Sequence, residues 1–143
     1  MKEITLYTDG ACLSNPGKGG WAAILSYGTV VKELSGNDPE TTNNRMEMQG
    51  VIEGLRALKE PCAVTVFSDS KYIVDNIRGV HIWKQRDWRL KGSNKPVKNR
   101  DLWEELDSLC RIHSVTFKWV KGHAGIPGNE RADVLAGQRA REL

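Results

Sequence analysis

The fold is decided by residues 2–34, which read KEITLYTDGACLSNPGKGGWAAILSYGTVVKEL. Apolar and polar residues alternate over 3–8, and two more β-like runs, 21–27 and 30–34, lie on either side of Gly28. Alternation with a period of two is typical of strands with one buried face, and short glycine-containing connections are typical of hairpins. We therefore predict three strands joined by hairpins at the start of the chain.

The rest of the chain alternates between helical and strand patterns. Residues 37–44 are rich in Asn, Asp, Pro and Thr, so we predict a loop whose end caps a helix running from Asn43 or Asn44 to about Lys59. Beyond it we predict a strand at 64–67, a helix at 70–78 stopped by Gly79, a helix at 102–112, a strand at 115–120 and a helix at 129–141. This order predicts an α/β fold with a mixed sheet covered by helices.

Length and composition predict one globular domain over residues 1–143, because 39% of the residues are apolar and 27% are charged. Cys12, Cys62 and Cys110 form no Cys-x-x-Cys pair, so we expect small apolar side chains in a reducing compartment, without disulfides or a zinc site. The longest apolar run, 21–25, is far shorter than the ~20 residues of a membrane span, and the first residues lack a signal peptide's apolar stretch. We expect a cytoplasmic protein that does not enter a membrane.

Positive charge is concentrated in one segment of the chain. Residues 84–100 contain seven basic residues and one acid, Asp87, so the segment carries +6, and the remainder sums to −3 because the whole chain carries +3. Trp83 and Trp88 lie in or beside this segment. A cationic patch with aromatic residues favours a polyanionic partner, with nucleic acid the first candidate. The alternative is a solvated basic face with both tryptophans in the core, and the pattern alone leaves it open.

Four acidic residues stand where the pattern calls for apolar or neutral side chains: Asp9, Glu47, Asp69 and Asp133. Asp9 and Asp69 end predicted strands, a common place for a turn or capping carboxylate. Glu47 continues an apolar helix stripe toward the core, and Asp133 heads a face of small residues that lets the last helix approach the sheet. The stripe consists of Val51, Leu55 and Leu58, and the small face consists of Ala136, Gly137 and Ala140.

An inward-facing carboxylate is costly unless it shares a cation or a basic partner. Two unit charges ~4 Å apart repel by ~1 kcal/mol in water and by ~4 kcal/mol at an effective dielectric constant near 20. Oxygen ligands without His or Cys favour Mg²⁺ or Mn²⁺, and two such ions suit in-line displacement at a phosphodiester. The alternative of four unrelated surface or capping carboxylates stays open at this point.

Five sequence blocks resemble the signatures of the bacterial-type ribonuclease HI family, in the same order. They are TDGA at 8–11 with NPGKGGW at 15–21, TNNRME at 42–47, SDS at 68–70, WVKGH at 119–123 and GNERAD at 128–133. The basic segment, with KPVKN at 95–99, resembles that type's basic protrusion, which we place at about 81–100. The resemblance implies an RNase H-like fold, with a five-stranded sheet of three antiparallel and two parallel strands.

The resemblance also implies an activity, namely sequence-nonspecific hydrolysis of the RNA strand of RNA/DNA hybrids with 3′-hydroxyl and 5′-phosphate ends. Asp9, Glu47, Asp69 and Asp133 match the family's metal-binding carboxylates, with Asp9 bridging two Mg²⁺ ions for which Mn²⁺ can substitute. His123 matches a mobile histidine between glycines, which suits proton transfer or departure of the cleaved phosphate.

Substrate contacts follow from the same resemblance. A hybrid carries 2′-hydroxyls on one strand only, and Asn15, Asn43, Asn44 and the backbone near Cys12 match positions that contact its minor groove. A helix cap is the alternative role of Asn43 and Asn44. Thr42 and Asn99 match positions that hold a phosphate of the DNA strand. Lys71 stands where many relatives carry Gln, and we expect it to contact a phosphate. The protrusion residues expected to bind substrate are Trp83, Lys84, Arg86, Trp88 and Lys98.

Two other functions are alternatives to the nuclease. One is a non-catalytic hybrid-binding protein, which would not need all four carboxylates, and the other is a resolvase- or integrase-type DNA nuclease, which would not need the asparagine contacts. We expect a monomer that a single-strand DNA-binding protein could recruit. We expect no N-terminal hybrid-binding module before the first strand and therefore no processive cutting.

Overall fold

Five strands and five α-helices build the protein in a computed structural model that describes residues 1–143. The strands are β1 (Lys2–Cys12), β2 (Gly17–Tyr27), β3 (Val30–Thr41), β4 (Cys62–Ser68) and β5 (Ser114–Trp119). The helices are α1 (Asn43–Arg56), α2 (Lys71–Asn76), α3 (Val80–Gln85), α4 (Arg100–Ile112) and α5 (Pro127–Arg141). None of these helices is both long enough and apolar enough to cross a membrane.

The strands form one mixed sheet in the order β3-β2-β1-β4-β5. Strands β1, β2 and β3 pair antiparallel, whereas β4 pairs parallel to β1 and β5 pairs parallel to β4. The predicted α/β fold, with three antiparallel and two parallel strands, is therefore confirmed. Because β1 and β4 run in the same direction, their carboxyl ends meet at one edge of the sheet.

The two faces of the sheet are packed differently. The main core lies against α1 and α4 and includes the fully buried Trp103. The other face carries α5, whose buried side chains are small alanines, as the sequence predicted. Gly20 permits this close packing, because a Cβ atom there would lie 2.2 Å from the carbonyl oxygen of Ala136. All three cysteines are free thiols.

The predicted loop at 37–44 is wrong over most of its length, because β3 continues to Thr41. Asn37 pairs with Gly20 of β2, and its side-chain Nδ2 donates to the carbonyl oxygen of Arg139 at 2.9 Å. These pairings satisfy polar residues that by composition resemble a loop. Helix α1 then begins at Asn43 and ends at Arg56, earlier than the predicted Lys59.

Gly79 does not stop the helical segment, contrary to the prediction. Helix α2 ends at Asn76 and is followed by a 3-10 turn over Ile77–Gly79, and α3 follows directly. The backbone of Gly79 has a φ of −98°, which other residues adopt readily, so it provides no left-handed termination. The segment 86–99 then returns through turns to α4, with a single bridge between Arg89 and Pro96.

Candidate active site

Three carboxylates converge at the edge of the sheet where β1 and β4 end. Asp9 lies in β1 and Asp69 directly follows β4, so the parallel pairing of these strands brings them together. Glu47 comes from the first turns of α1, which approaches β1 closely because Gly10 has no side chain. One carboxylate oxygen from each of the three residues lies within 4.8 Å of the other two.

Burial and mutual repulsion make this carboxylate cluster unfavourable when it is fully ionised. Asp9 is 8% exposed, and burial followed by the charge of Asp69 raises its pKa from 3.8 to about 7. Burial and the charge of Asp9 raise the pKa of Glu47 well above its usual value, and burial also raises the pKa of Asp69. The Oε2 atom of Glu47 is buried without a hydrogen-bond partner. An all-oxygen cluster with such an unpartnered oxygen fits a hard divalent cation.

Asp133 lies at the rim of this cluster and is less buried than the sequence predicted. It comes from α5, its side chain is 44% exposed, and it is not among the three carboxylates that approach within 4.8 Å. It nevertheless lines the same two cavities as Asp9 and Asp69. The alanines of α5 face the sheet, and the carboxylate beside them opens into the cleft.

His123 lies in the loop between β5 and α5, on the same side of the cleft as Asp133. Its side chain is 76% exposed, and its Nδ1 atom lies 3.9 Å from Oδ2 of Asp133. The residue has a φ of 56°, a left-handed conformation that is uncommon for a non-glycine residue and frequently found at functional sites. The loop thus holds an accessible imidazole against the rim of the carboxylate cluster.

The metal-free protein should lose stability as the pH rises, since Asp9 binds a proton more tightly when folded than when unfolded. A group with a raised folded pKa contributes stability that is complete below its ordinary pKa and is lost as the pH passes the folded value, here about 7. In EDTA we expect the melting temperature to fall by roughly 5 °C between pH 5.5 and pH 8.5. Thermal denaturation followed by circular dichroism measures this.

The matched variants are Asp9→Asn, which removes the titrating group, and Asp75→Asn, which changes an exposed aspartate on α2. The first should show a smaller fall with pH and a higher melting temperature than the parent in EDTA at pH 8.5. The second should behave like the parent. Equal pH dependence in Asp9→Asn and the parent would contradict the raised pKa.

The residues expected to contact the minor groove surround the start of α1. Asn15 accepts a hydrogen bond on Oδ1 from the backbone N–H of Asn43 at 3.1 Å, which ties the β1–β2 loop to the helix. Asn43 and Asn44 are exposed and line the open cleft with the carboxylates. Neither caps α1, because the hydroxyl of Thr42 accepts from the N–H of Arg45 at 3.3 Å. The Sγ atom of Cys12 lies 2.8 Å from the carbonyl oxygen of Ser14.

Asn99 is held by two residues that sequence reasoning missed. Its Oδ1 accepts from Nη1 of Arg45 at 3.2 Å, and its Nδ2 donates to the hydroxyl of Tyr72 at 3.0 Å. Arg45 also binds Asp101 through both carboxylate oxygens, at 3.0 and 2.7 Å. Arg45 lies within the TNNRME block and could have been found there, whereas no sequence signal marks Tyr72.

Of the protrusion residues expected to bind substrate, some are exposed, whereas others are buried or already paired within the protein. Trp88 is 7% exposed in the main core, and Trp83 packs against both Trp88 and Trp103, so the core alternative is correct for Trp88. A buried indole has no face to offer a substrate. Lys84 is likewise occupied, by an ion pair with Asp107 of α4. The side chains of Arg86 and Lys98 remain exposed.

Comparisons with known proteins agree on one family. The sequence model of the RNase H family matches residues 1–141. Ribonuclease H of Cupriavidus necator is 55% identical, over 100% of this chain and 99% of its own, and that of Rhizobium meliloti is 55% identical over 95% and 89%.

Solved structures give the same result. The crystal structure of LC9-RNase H1, described as a type 1 RNase H with the type 2 active-site motif, has a TM-score of 0.87 and 35% identity, over 99% of this chain and 73% of that one. LC11-RNase H1 in complex with an RNA/DNA hybrid has a TM-score of 0.68 and 25% identity, over 97% of both chains.

Proposed function

The chain belongs to the RNase H family, and from this premise we propose that two divalent ions support its reaction. It is a ribonuclease H, a hydrolase that cleaves the RNA strand of RNA/DNA hybrids. The observation that carries the proposal is the cluster of Asp9, Glu47 and Asp69, in which Oε2 of Glu47 is buried without a hydrogen-bond partner. The products are a 3′-hydroxyl and a 5′-phosphate, and the ions are Mg²⁺, for which Mn²⁺ can substitute.

The ions would be held by Asp9, Glu47, Asp69 and Asp133. We assign the central position to Asp9, because it is the carboxyl whose pKa responds to all three of the others, Asp69, Glu47 and Asp133. Its Oδ1 also accepts from the N–H of Gly10 at 2.9 Å, which fixes the carboxylate's orientation. When bound, two such ions lower the pKa of an attacking water and offset the charge that develops on the leaving oxygen.

The cleft beside the carboxylates suits an RNA strand. Asn43 and Asn44 project their amides from the exposed start of α1, on the same cleft as Asp9 and Glu47. An amide both donates and accepts hydrogen bonds, as a 2′-hydroxyl does, so these residues can recognise RNA without reading its sequence. Asn15 supports the pair by holding the backbone N–H of Asn43.

The DNA strand would lie across α1 and the protrusion. Arg45 links the two residues proposed at a DNA phosphate, because its backbone N–H donates to the hydroxyl of Thr42 and its guanidinium donates to Oδ1 of Asn99. Farther along, the exposed Arg86 and Lys98 extend the positive surface. Trp88 supports this surface from within the core, and the partly buried Trp83 packs against it.

His123 is proposed to exchange a proton with the cleaved phosphate or to assist its departure. It is the exposed imidazole on the cavity lined by Asp9, Asp69 and Asp133. Its loop contains Gly125 at a φ of 80°, a conformation that glycine adopts at little cost and that permits tight turning. The imidazole therefore lies beside the carboxylates without being buried among them.

A cleavage assay tests the proposal with one 5′-labelled RNA strand, presented alone, paired with RNA or paired with DNA, beside a labelled DNA duplex. We expect cutting of the RNA in the hybrid only, with Mg²⁺ and not with EDTA, and a product that carries a 3′-hydroxyl. Binding of the hybrid without cleavage would favour a binding protein instead. Cutting of the DNA duplex would favour a nuclease of the resolvase class.

A further inference from the structure

Lys71 is the one cation among the residues that line the open cleft, and four carboxylates line the same cleft. It begins α2, only two residues after Asp69, and is exposed. A flexible lysine in such surroundings would be expected to pair with a carboxylate. None of the salt bridges of the structure includes Lys71. Some other group therefore holds its ammonium.

That group is the indole ring of Trp119. The Nζ atom of Lys71 lies 4.8 Å from the centroid of the ring, within the range of a cation–π interaction. Trp119 ends β5 opposite Ser68, and its Nε1 donates to the backbone carbonyl oxygen of Asp69 at 3.1 Å. The ring is 45% exposed, yet it is fixed by strand pairing and by this hydrogen bond.

The geometry points to Trp119 as a positioning residue that holds the ammonium of Lys71 at the rim of the cleft, ready to bind a backbone phosphate of the hybrid. An aromatic face attracts a cation without neutralising its charge, so the ammonium keeps its charge and its free N–H donors. A carboxylate partner would cancel that charge. This inference rests on the proposed function, and it adds a role for an exposed tryptophan outside the carboxylate cluster.

The competing explanation is that Trp119 acts only through Asp69, by means of its indole N–H. Two substitutions separate the explanations. Trp119→Phe keeps an aromatic ring under Lys71 but removes the N–H donor, whereas Trp119→Met removes both and retains apolar bulk. If the ring positions Lys71, the phenylalanine variant should bind substrate much more like the parent than the methionine variant does.

The test measures binding of a fluorescent RNA/DNA hybrid by anisotropy at several KCl concentrations, in an Asp9→Asn background that does not cut it. Loss of one phosphate contact in Lys71→Met should reduce the slope of log Kd against log salt by about 0.9. Trp119→Met should raise Kd about two- to fivefold and lower the same slope. In the Lys71→Met background, Trp119→Met should change neither quantity further.

Additive effects in the double variant would overturn the inference, as would an unchanged salt slope in Lys71→Met. Equal losses in Trp119→Phe and Trp119→Met would assign the role to the hydrogen bond with Asp69. If Trp119→Met does not fold, Trp119→Leu provides a second ring-free variant for the same cycle.

The inference and the proposed function fail in different ways. With Asp9 restored, Trp119→Met should raise KM for the hybrid more than it lowers kcat, because it removes a binding contact and leaves the carboxylates in place. If the unsubstituted protein cuts no hybrid, the proposed function fails. If it cuts the hybrid but the variants of Lys71 and Trp119 act independently, this inference alone fails.

Discussion

Replacing Asp9 by asparagine is expected to lower the rate of hybrid cleavage about a thousandfold or more, while hybrid binding is retained. Asn has nearly the same volume, and its Oδ1 can still accept from the N–H of Gly10. What it loses is one of the three negative charges whose oxygens lie within 4.8 Å of one another. The phosphate-binding cations lie elsewhere, so Kd should change by less than about threefold.

Initial rates in Mg²⁺ and anisotropy with the same labelled hybrid measure the two quantities. Asp75→Asn is the matched control, since it makes the same chemical change at an exposed site on α2 and should keep the parental rate. A variant at Asp9 that keeps more than a tenth of the parental rate would contradict the central position of this carboxylate. So would a loss of binding as large as the loss of rate.

Replacing Gly10 by alanine is expected to reduce cleavage by about a hundredfold without removing any functional group. A Cβ atom at this position would lie 2.4 Å from the backbone nitrogen of Glu47 and 2.5 Å from the carbonyl carbon of Met46. Both are backbone atoms, so α1 must move away from β1 and must carry Glu47 with it. We also expect a loss of about 1–3 kcal/mol in the free energy of unfolding.

Gly79→Ala provides the control for this second substitution. A Cβ atom there would meet nothing within 4 Å, and its φ of −98° suits alanine. This variant should keep the parental rate and gain up to about 1 kcal/mol of stability. Urea denaturation and initial rates measure both effects. A Gly10→Ala variant with the parental rate would show that the separation of α1 and β1 is not critical for the reaction.

Local patterns were sufficient to predict most elements and one unusual side chain. Alternation over residues 3–8 identified β1, and the helical spacing of Glu47 with Val51 and Leu55 correctly placed a carboxylate on a buried stripe. Both patterns can be recognised within a few consecutive residues or helix turns. The proximity of Asp9 and Asp69 cannot be predicted from a local pattern, because it depends on which strands pair in parallel. Only the family resemblance supplied that pairing.

The sequence predictions were wrong where contacts between distant residues determine a structure or an environment that local composition does not indicate. Asn37 and its neighbours resemble a loop, but pairing with β2 and a hydrogen bond to Arg139 make them a strand. Lys84 contributes to the positive segment in the sequence, yet Asp107 of α4 neutralises it in the fold. Asp133 was expected to face inward and instead opens into the cleft. Such partners lie too far along the chain for a local pattern to indicate them.

The packing of Trp83 between Trp88 and Trp103 gives the protein an internal optical reporter. The ring centroids of Trp83 lie 6.3 Å from those of Trp88 and 5.4 Å from those of Trp103, at interplanar angles of 43° and 69°. Indoles this close and this inclined couple their electronic transitions, so the circular dichroism of the indoles depends on how the basic segment packs against α4. Detachment of that segment would therefore be visible in solution without any added label.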